Sequence, residues 1–212
     1  MGLAIGMGVL ADLAQNDPEG LEAYQRQFDV VNRVLAANKL PKHVEPTTMP
    51  DLQSRAAIDG FPYSWIHYLR RALAYARQSP DDLTPVEEGD DPAQDPLIDE
   101  ELSVYMDSHF ICHSDCEGMY VPIDFDEVLY DDELHGAMMG SSLRVLDELR
   151  VVAPVIGITL EDGVLSDSAA ARLAKEAESE GSHPYWKERQ VWLTMFEAFR
   201  LSVQHRCAVV YR

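Results

Sequence analysis

Six side chains that could bind a metal ion or act in catalysis fall between positions 109 and 118 of this chain. They are two histidines, two cysteines, an aspartate and a glutamate, namely His109, Cys112, His113, Asp115, Cys116 and Glu117. Imidazole, thiolate and carboxylate groups are the usual zinc ligands in proteins. The same groups serve as nucleophile and general base in hydrolytic enzymes. This segment is therefore the first place where the sequence suggests chemistry.

The spacing of these residues would suit zinc only on a helix. His109 and His113 are four residues apart, as are the two cysteines, and such pairs share one helix face. The flanking residues indicate a strand, where two ligands of one ion are normally two residues apart. A site would then combine His113 with Cys116 or Glu117 and a distant residue such as His135. We therefore predict that no metal is bound. The alternative is a metal-assisted, hydrolase-like enzyme with zinc candidates His109, His113, Cys116 and His135.

Nucleophilic catalysis receives little support from the same residues. Ser114 lies between His113 and Asp115, but neighbours in sequence point apart, whereas a catalytic triad is a spatial arrangement. Cys116 is the better nucleophile, because a turn could fold His113 onto it. No flanking sequence supports that pair. We therefore interpret the segment as a binding element, with candidate contact residues His113, Ser114, Asp115 and Glu117.

The elements that must position these residues resemble a β-hairpin. Residues 104–112 and 119–125 are rich in β-branched and aromatic side chains. Gly118 lies between them, and a tight turn needs the backbone freedom of glycine. Short polar side chains at such a tip can also hydrogen-bond to their own backbone. We predict that residues 113–117 form the turn and do not lie on a helix.

Five helices are predicted from apolar residues that recur every three or four positions. The first begins at Asp17-Pro18, an N-cap followed by a proline suited to the first turn. The predicted helices cover residues 18–38, 62–78, 142–153 and 184–205, and one that starts at Ser166 or Asp167 and stops at Gly181. Short strands are predicted at residues 154–160 and 207–211, and Asp162-Gly163 predicts a turn.

The N-terminus is apolar but shows no targeting or cofactor pattern. Its apolar run stops at Asp12, has no basic residues before it and is far too short to cross a bilayer. Gly6–Ala11 fits the dinucleotide-binding pattern G-x-G-x-x-A, yet only five residues precede it where a full strand is required. We interpret this run as core packing. Three cysteines do not build a disulfide framework, so we expect a cytoplasmic protein without membrane contact.

Residues 79–99 are not predicted to form a regular element. The stretch contains four prolines and eight acids but few apolar residues. Either flank alone is short of core, so we predict one domain over residues 1–212, in which residues 79–99 are an acidic, proline-rich mobile loop or linker. The predicted fold is α+β, mostly helical, with a small antiparallel or mixed sheet.

Negative charge is concentrated in the middle of the chain. The sequence has 37 acids and 17 bases, a net charge of −20. Between Gln78 and Leu143 there are 19 acids and no lysine or arginine, while the rest is almost neutral. Binding to nucleic acid through its phosphates needs clustered basic residues, so it is not expected. The charge predicts a basic protein partner, with Asp124 and Asp126 among the contact residues.

The segment HSDCEGMYVP, residues 113–122, resembles uncharacterised bacterial proteins that carry H-S-D-x-E-G-x-Y-x-P. The resemblance covers about ten residues and implies no activity. It singles out the same turn as the place to look for a site.

Two functions from different classes fit these observations. The first is an acidic intracellular binding protein of the immunity type, whose basic partner would be a nuclease-like toxin. The second is the metal-assisted enzyme built on the His109–Glu117 cluster. An enzyme would need the turn inside a cleft, whereas a binding protein needs an exposed acidic surface.

Overall fold

A six-stranded sheet runs through the part of the chain that the computed structural model describes, residues 2–176 and 181–211. The strands are β1 (Gly2–Met7), β2 (Gly60–Pro62), β3 (Gly118–Val121), β4 (Leu129–Tyr130), β5 (Met138–Ser141) and β6 (Val209–Tyr211). Their order across the sheet is β2-β1-β6-β3-β5-β4, and every neighbouring pair is antiparallel except β3 and β5. The sheet is therefore mixed.

Seven α-helices accompany the sheet in the described residues. They are α1 (Val9–Asn16), α2 (Pro18–Ala37), α3 (Trp65–Gln78), α4 (Pro96–Glu100), α5 (Ser142–Val152), α6 (Asp167–Glu176) and α7 (Trp186–His205). A π-helical turn (Glu101–Tyr105) continues α4. The predicted class, one α+β domain with a small mixed sheet, is confirmed. No helix among the described residues has both the length and the apolar character needed to cross a membrane.

Both faces of the sheet are buried, each in its own core. In β3, Tyr120 belongs to the core beneath α3, α5, α6 and α7, whereas Met119 and Val121 belong to the core beneath α1 and α2. Val210 of β6 likewise faces the second core while its neighbours face the first. Because both faces are covered, the central strands carry apolar side chains at successive positions.

The long amphipathic helices lie close to where the sequence places them. Asp17 caps α2 as predicted, its carboxylate accepting a hydrogen bond from Gly20 N at 3.0 Å. The cap of α5 is Ser141 and not Ser142, since the Ser141 hydroxyl accepts from Arg144 N. Helix α6 begins at Asp167 as predicted. Its predicted end at Gly181 depends on residues 177–180, which lie outside the described residues.

The predicted hairpin around Gly118 is wrong, although the absence of a helix there is confirmed. Residues 109–117 form turns and bends, and strand β3 begins at Gly118. Its partners are β5 and β6, which are distant in sequence. Residues 104 and 105 are β-branched and aromatic, which predicts a strand, but they end the π-helical turn with exposed side chains.

Two other local predictions fail for identifiable reasons. Pro154 starts a single 3-10 turn, and Gly157 ends it at φ 73°, so residues 154–160 form no strand. At the N-terminus, Gly2–Met7 is a full strand followed directly by α1, which the interpretation as mere packing missed. A Cβ on Gly8, between them, would lie 2.5 Å from the Met49 sulfur, so the chain itself fills that space.

The acidic stretch 79–99 contains short helical turns and is fastened to α3. Arg71 of α3 donates from Nε to the Asp95 carboxylate at 2.7 Å and from Nη1 to Thr84 O at 2.7 Å. Pro92 is buried. The stretch between the two Arg71 contacts is mostly exposed, so any mobility of this segment should be greatest there.

We predict that a glutamate-specific protease cuts the native protein first after Glu87 or Glu88. Both residues are exposed and lie outside any helix or strand, where loops are the preferred sites of nicking. Glu22 is an internal control, because it is also exposed but lies within α2. Mass spectrometry of the early fragments gives the order, and a first cut after Glu22 would contradict the prediction.

Candidate acidic interaction surface

Arg70 of α3 holds the backbone of the segment that sequence analysis selected. Its buried guanidinium donates from Nε to Phe110 O at 3.1 Å, and from Nη2 to His113 O at 2.7 Å and Ser114 O at 3.0 Å. These are carbonyl groups of a turn that has no ladder of its own to satisfy them. The turn is therefore fixed from beneath by a helix.

His113 is a core residue. Its ring stacks on Tyr120 with 4.1 Å between centroids, and burial lowers its pKa to about 3. The ring nitrogens face Ser114 O and Met119 O at 3.3 and 3.2 Å. Gly118 adjoins it at φ 114°, where a Cβ would come within 2.5 Å of the His113 ring. The glycine is thus required both for its conformation and for the space that the imidazole occupies.

His109 is also buried and neutral. Its Nδ1 accepts a hydrogen bond from Ser141 N at 3.0 Å, and its ring packs edge-on against Phe125. Burial lowers the pKa of this imidazole. The His109 proton therefore sits on Nε2, which makes no hydrogen bond within the described residues.

The remaining candidates do not converge on one point. Ser114 Oγ accepts from Cys116 N and Glu117 N at 3.3 and 3.2 Å, which makes a self-bonded turn. The Asp115 carboxylate pairs with His67 of α3 at 3.2 Å. His135 is joined to α2 through its backbone N–H, which donates to the Gln27 side chain. Among residues 2–176 and 181–211, no three histidine, cysteine or acidic side chains come together as a metal site would require.

Glu148 of α5 also binds the backbone of this segment. Its carboxylate accepts from His109 N at 2.7 Å, Phe110 N at 2.9 Å and the Ser108 hydroxyl at 3.2 Å. Burial raises the pKa of this carboxyl to about 7, although the two backbone donors act in the opposite direction. A cavity of about 370 Å³ lies beside it and is lined also by Asp107.

Several acids of the middle segment are engaged by arginines from outside it. Arg144 of α5 binds Asp124 and Asp126 at 2.7 and 2.6 Å. Arg33 of α2 binds Asp131 at 2.8 Å and also pairs with Glu133. The sequence predicts that Asp124 and Asp126 contact a partner protein. Both residues, however, already have a cationic partner within the chain.

Arg77 of α3 makes a third such pair of contacts. It binds the fully buried Glu101 at 3.2 Å and the exposed Asp107 at 2.5 Å. The sequence gives no sign of these pairings, because each arginine lies outside the acidic stretch that it neutralises.

The acids of residues 81–100 differ from the rest in being almost free of such partners. Of the nine acids there, only Asp95 forms an ion pair with another described residue, which is Arg71. Sequence position alone would not have separated this group from the acids at 124–133. We call the other eight the acidic surface: Asp81, Asp82, Glu87, Glu88, Asp90, Asp91, Asp99 and Glu100.

The acidic surface is partly concave. A cavity of about 390 Å³ is bordered by Glu87, Asp90 and Asp91, with Arg71 and Asp95 also in its wall. A cleft lined by charges of one sign focuses the field within it, so the three unpaired carboxylates make this cavity attractive to a cation.

The fold and this surface together define a class of protein: an α+β protein with a cluster of acids in one stretch of the chain, residues 81–100, that mostly lack ion-pair partners among the described residues. Comparison with known proteins gives the class a family. The chain belongs to the family described as "Putative DNA-mimic protein", whose model matches residues 1–211. No curated protein and no solved structure matches the chain.

Family membership corrects both functional predictions made from the sequence. The immunity-type protein with a toxin partner is wrong, because a DNA-mimic family points to proteins that engage nucleic-acid-binding proteins. The metal-assisted, hydrolase-like enzyme with zinc is wrong for the same reason. The toxin prediction fails because the acidity of a protein indicates a cationic partner but does not identify that partner.

Proposed function

We propose that this protein is a DNA mimic that binds a DNA-binding protein at the surface where that protein contacts DNA phosphates, and so competes with DNA. The observation that carries the proposal is the acidic surface, in which eight carboxylates within residues 81–100 have no ion-pair partner among the described residues. They belong to a chain whose whole length matches a DNA-mimic family.

The physical basis is the charge density of DNA. Duplex DNA carries one negative charge per about 1.7 Å of helix axis, and lysine and arginine contacts to it dominate non-specific binding. A protein surface with clustered, unpaired carboxylates offers the same counter-charge to those side chains. Such attraction acts over about 8 Å at physiological ionic strength, so it guides the encounter as well as the bound state.

Order in the scaffold supports the proposal further. Arg71 fastens both ends of the stretch from Thr84 to Asp95, and Asp91 and Asp95 accept hydrogen bonds from the backbone at the starts of the following helical turns. A charged loop that is fastened at both ends loses less conformational entropy on binding than a free acidic tail would.

The test is release of proteins from DNA. Extract of the organism that carries the gene is bound to immobilised duplex DNA at low salt, and the purified protein is added as competitor. We expect release of specific DNA-binding proteins, identified by mass spectrometry, with a release that weakens as salt rises. Each released protein is then titrated against labelled duplex DNA with and without the competitor.

A pair of charge-matched variants locates the effect. The test variant changes four members of the acidic surface, Glu87→Gln, Glu88→Gln, Asp90→Asn and Asp91→Asn. The control changes four exposed acids elsewhere, Glu19→Gln, Asp29→Asn, Asp51→Asn and Glu161→Gln. Both lose four negative charges, so any difference reports position and not net charge.

We expect the test variant to compete about tenfold less well, with the control close to the parent protein. Equal loss in the two variants would mean that only net charge matters. No release of any DNA-binding protein by the parent would refute the proposed function. The binding roles predicted for His113, Ser114, Asp115, Glu117, Asp124 and Asp126 stay predictions, and only Glu117 among them is exposed without an ion pair in the described residues.

A further inference from the structure

The exposed apolar side chains of this protein are concentrated in one turn. Eight large hydrophobic residues are exposed in residues 2–176 and 181–211, and four of them fall within five consecutive positions. They are Leu102 (45% exposed), Val104 (67%), Tyr105 (49%) and Met106 (59%). Single exposed hydrophobic residues need no explanation, but a contiguous group marks an interaction site. We call these four residues the apolar turn.

The backbone that presents the apolar turn is unusual. Residues 101–105 form a π-helical turn, closed by a hydrogen bond from Met106 N to Glu101 O at 2.8 Å. Met106 ends it in the left-handed region at φ 55°, which a side chain larger than glycine rarely adopts. Both features cost free energy and cluster at functional sites in proteins.

The apolar turn is also held in place from below. Glu101 is fully buried, and its carboxylate accepts from Gln78 Nε2 at 3.0 Å and pairs with Arg77 at 3.2 Å. One of its oxygens is buried without a hydrogen-bond partner within the described residues. A buried carboxylate thus fixes a turn whose apolar side chains face water. Both the burial of the carboxylate and the exposure of the apolar side chains are unfavourable for the protein alone.

Negative charge adjoins the apolar turn on its N-terminal side and limits what can cover it. Asp99 and Glu100 of the acidic surface precede it, and Asp107, which is paired with Arg77, follows it. Val151 of α5, another exposed apolar residue, lines the same cavity as Asp107. A second copy of this chain would bring two such acidic rims together in a molecule of net charge −20, so self-association is disfavoured.

We infer that the apolar turn is the anchor that fixes a cationic partner after the acidic surface has attracted it. The occupant is an apolar surface rimmed by lysine and arginine, on the DNA-binding protein of the proposed function, on which this inference rests for the partner's identity. Duplex DNA has no comparable protruding apolar group. The turn therefore supplies binding affinity that carboxylates imitating phosphates cannot supply. Charge governs the association rate here, and the buried apolar contact governs the dissociation rate.

The test uses two synthetic peptides of equal length and equal lysine content. One is amphipathic, with leucines on one helix face, and the other carries serine and glycine in their place. Fluorescence anisotropy measures the affinity of each. We expect the parent protein to bind the amphipathic peptide about tenfold more tightly, and to retain that part of the affinity at high salt, where binding of the polar peptide fades.

Matched substitutions identify the surface responsible. Val104→Gln with Met106→Gln should remove the tenfold preference, whereas Val44→Gln with Val164→Gln should leave it intact. The two pairs have similar exposure, and neither changes the net charge. A second variant, Leu102→Gln with Tyr105→Gln, should repeat the loss, which guards against misfolding of the first. Thermal unfolding of each variant checks that the fold is kept.

Three results would overturn the inference. The first is equal affinity of the parent protein for the two peptides, and the second is an equal loss of the preference in the control pair. The third is a dimer, detected by sedimentation, that the Val104 and Met106 substitutions dissociate, because a second copy would then be the occupant. The acidic-surface variant should weaken binding of both peptides alike. A parent protein that keeps the peptide preference but releases nothing from DNA would contradict the proposed function alone, so the two failures can be told apart.

Discussion

Replacing Glu197 by alanine is expected to lower the free energy of unfolding by about 4 kcal/mol. Glu197 is fully buried on α7, and its carboxylate accepts five hydrogen bonds from two arginines, Arg55 and Arg200. One of these comes from the backbone N–H of Arg55, at 3.0 Å, so the carboxylate also fixes the loop before β2. Its loss leaves two guanidinium groups facing each other without their shared counter-charge.

Urea unfolding followed by circular dichroism measures this change. Glu22→Ala is the control, because Glu22 forms an exposed ion pair with Arg26 one turn away on α2, a type worth less than 1 kcal/mol. Comparable losses from the two substitutions would show that the buried pair contributes no more than a surface one.

The second prediction concerns pH and the half-buried carboxyl of Glu148. Burial raises its pKa to about 7 from an ordinary value of 4.5. A raised carboxyl pKa means that the native state holds a proton which the unfolded chain gives up more readily. This group therefore stabilises the fold at low pH, and its contribution is lost as pH rises from about 4.5 through about 7.

Glu148→Gln should expose that dependence as a difference from the parent protein. Between pH 5 and pH 8, the variant should gain about 2 kcal/mol of stability relative to the parent, because glutamine has no proton to lose. The comparison must be a difference, since burial lowers the pKa of His113 to about 3, and neutral histidines oppose the trend by losing stability at low pH. Parallel pH curves for the two proteins would contradict the raised pKa.

Helices were the most predictable part of this fold. Helices α2, α3, α5 and α7 have apolar stripes long enough to outweigh local ambiguity, and their ends are marked by caps or prolines. The strands were less predictable because they are short and pair over long distances. β3 adjoins β5 and β6, and nothing near Gly118 indicates either partner.

The ion pairs of the candidate site were as hard to predict from the sequence as the strand pairing. The sequence locates the acidic stretch correctly, but it cannot show which carboxylates are already satisfied. Arg33 reaches Asp131 across 98 positions, so the ion pair is a product of tertiary structure. The π-helical turn was hidden for a different reason: exposed valine and tyrosine follow the composition of a strand, and no local rule marks a π-helix.

The arginines that hold acids in pairs have a consequence for how such a protein can change. Arg33 and Arg144 each mask two carboxylates, so losing either base would uncover charge without any new acid. The extent of the negative face can thus be enlarged or reduced by substitutions that lie on α2 and α5, away from residues 81–100. Two relatives of identical net charge could then differ in how many unpaired carboxylates they expose. A comparison of such relatives should therefore examine the positions of the arginines and lysines.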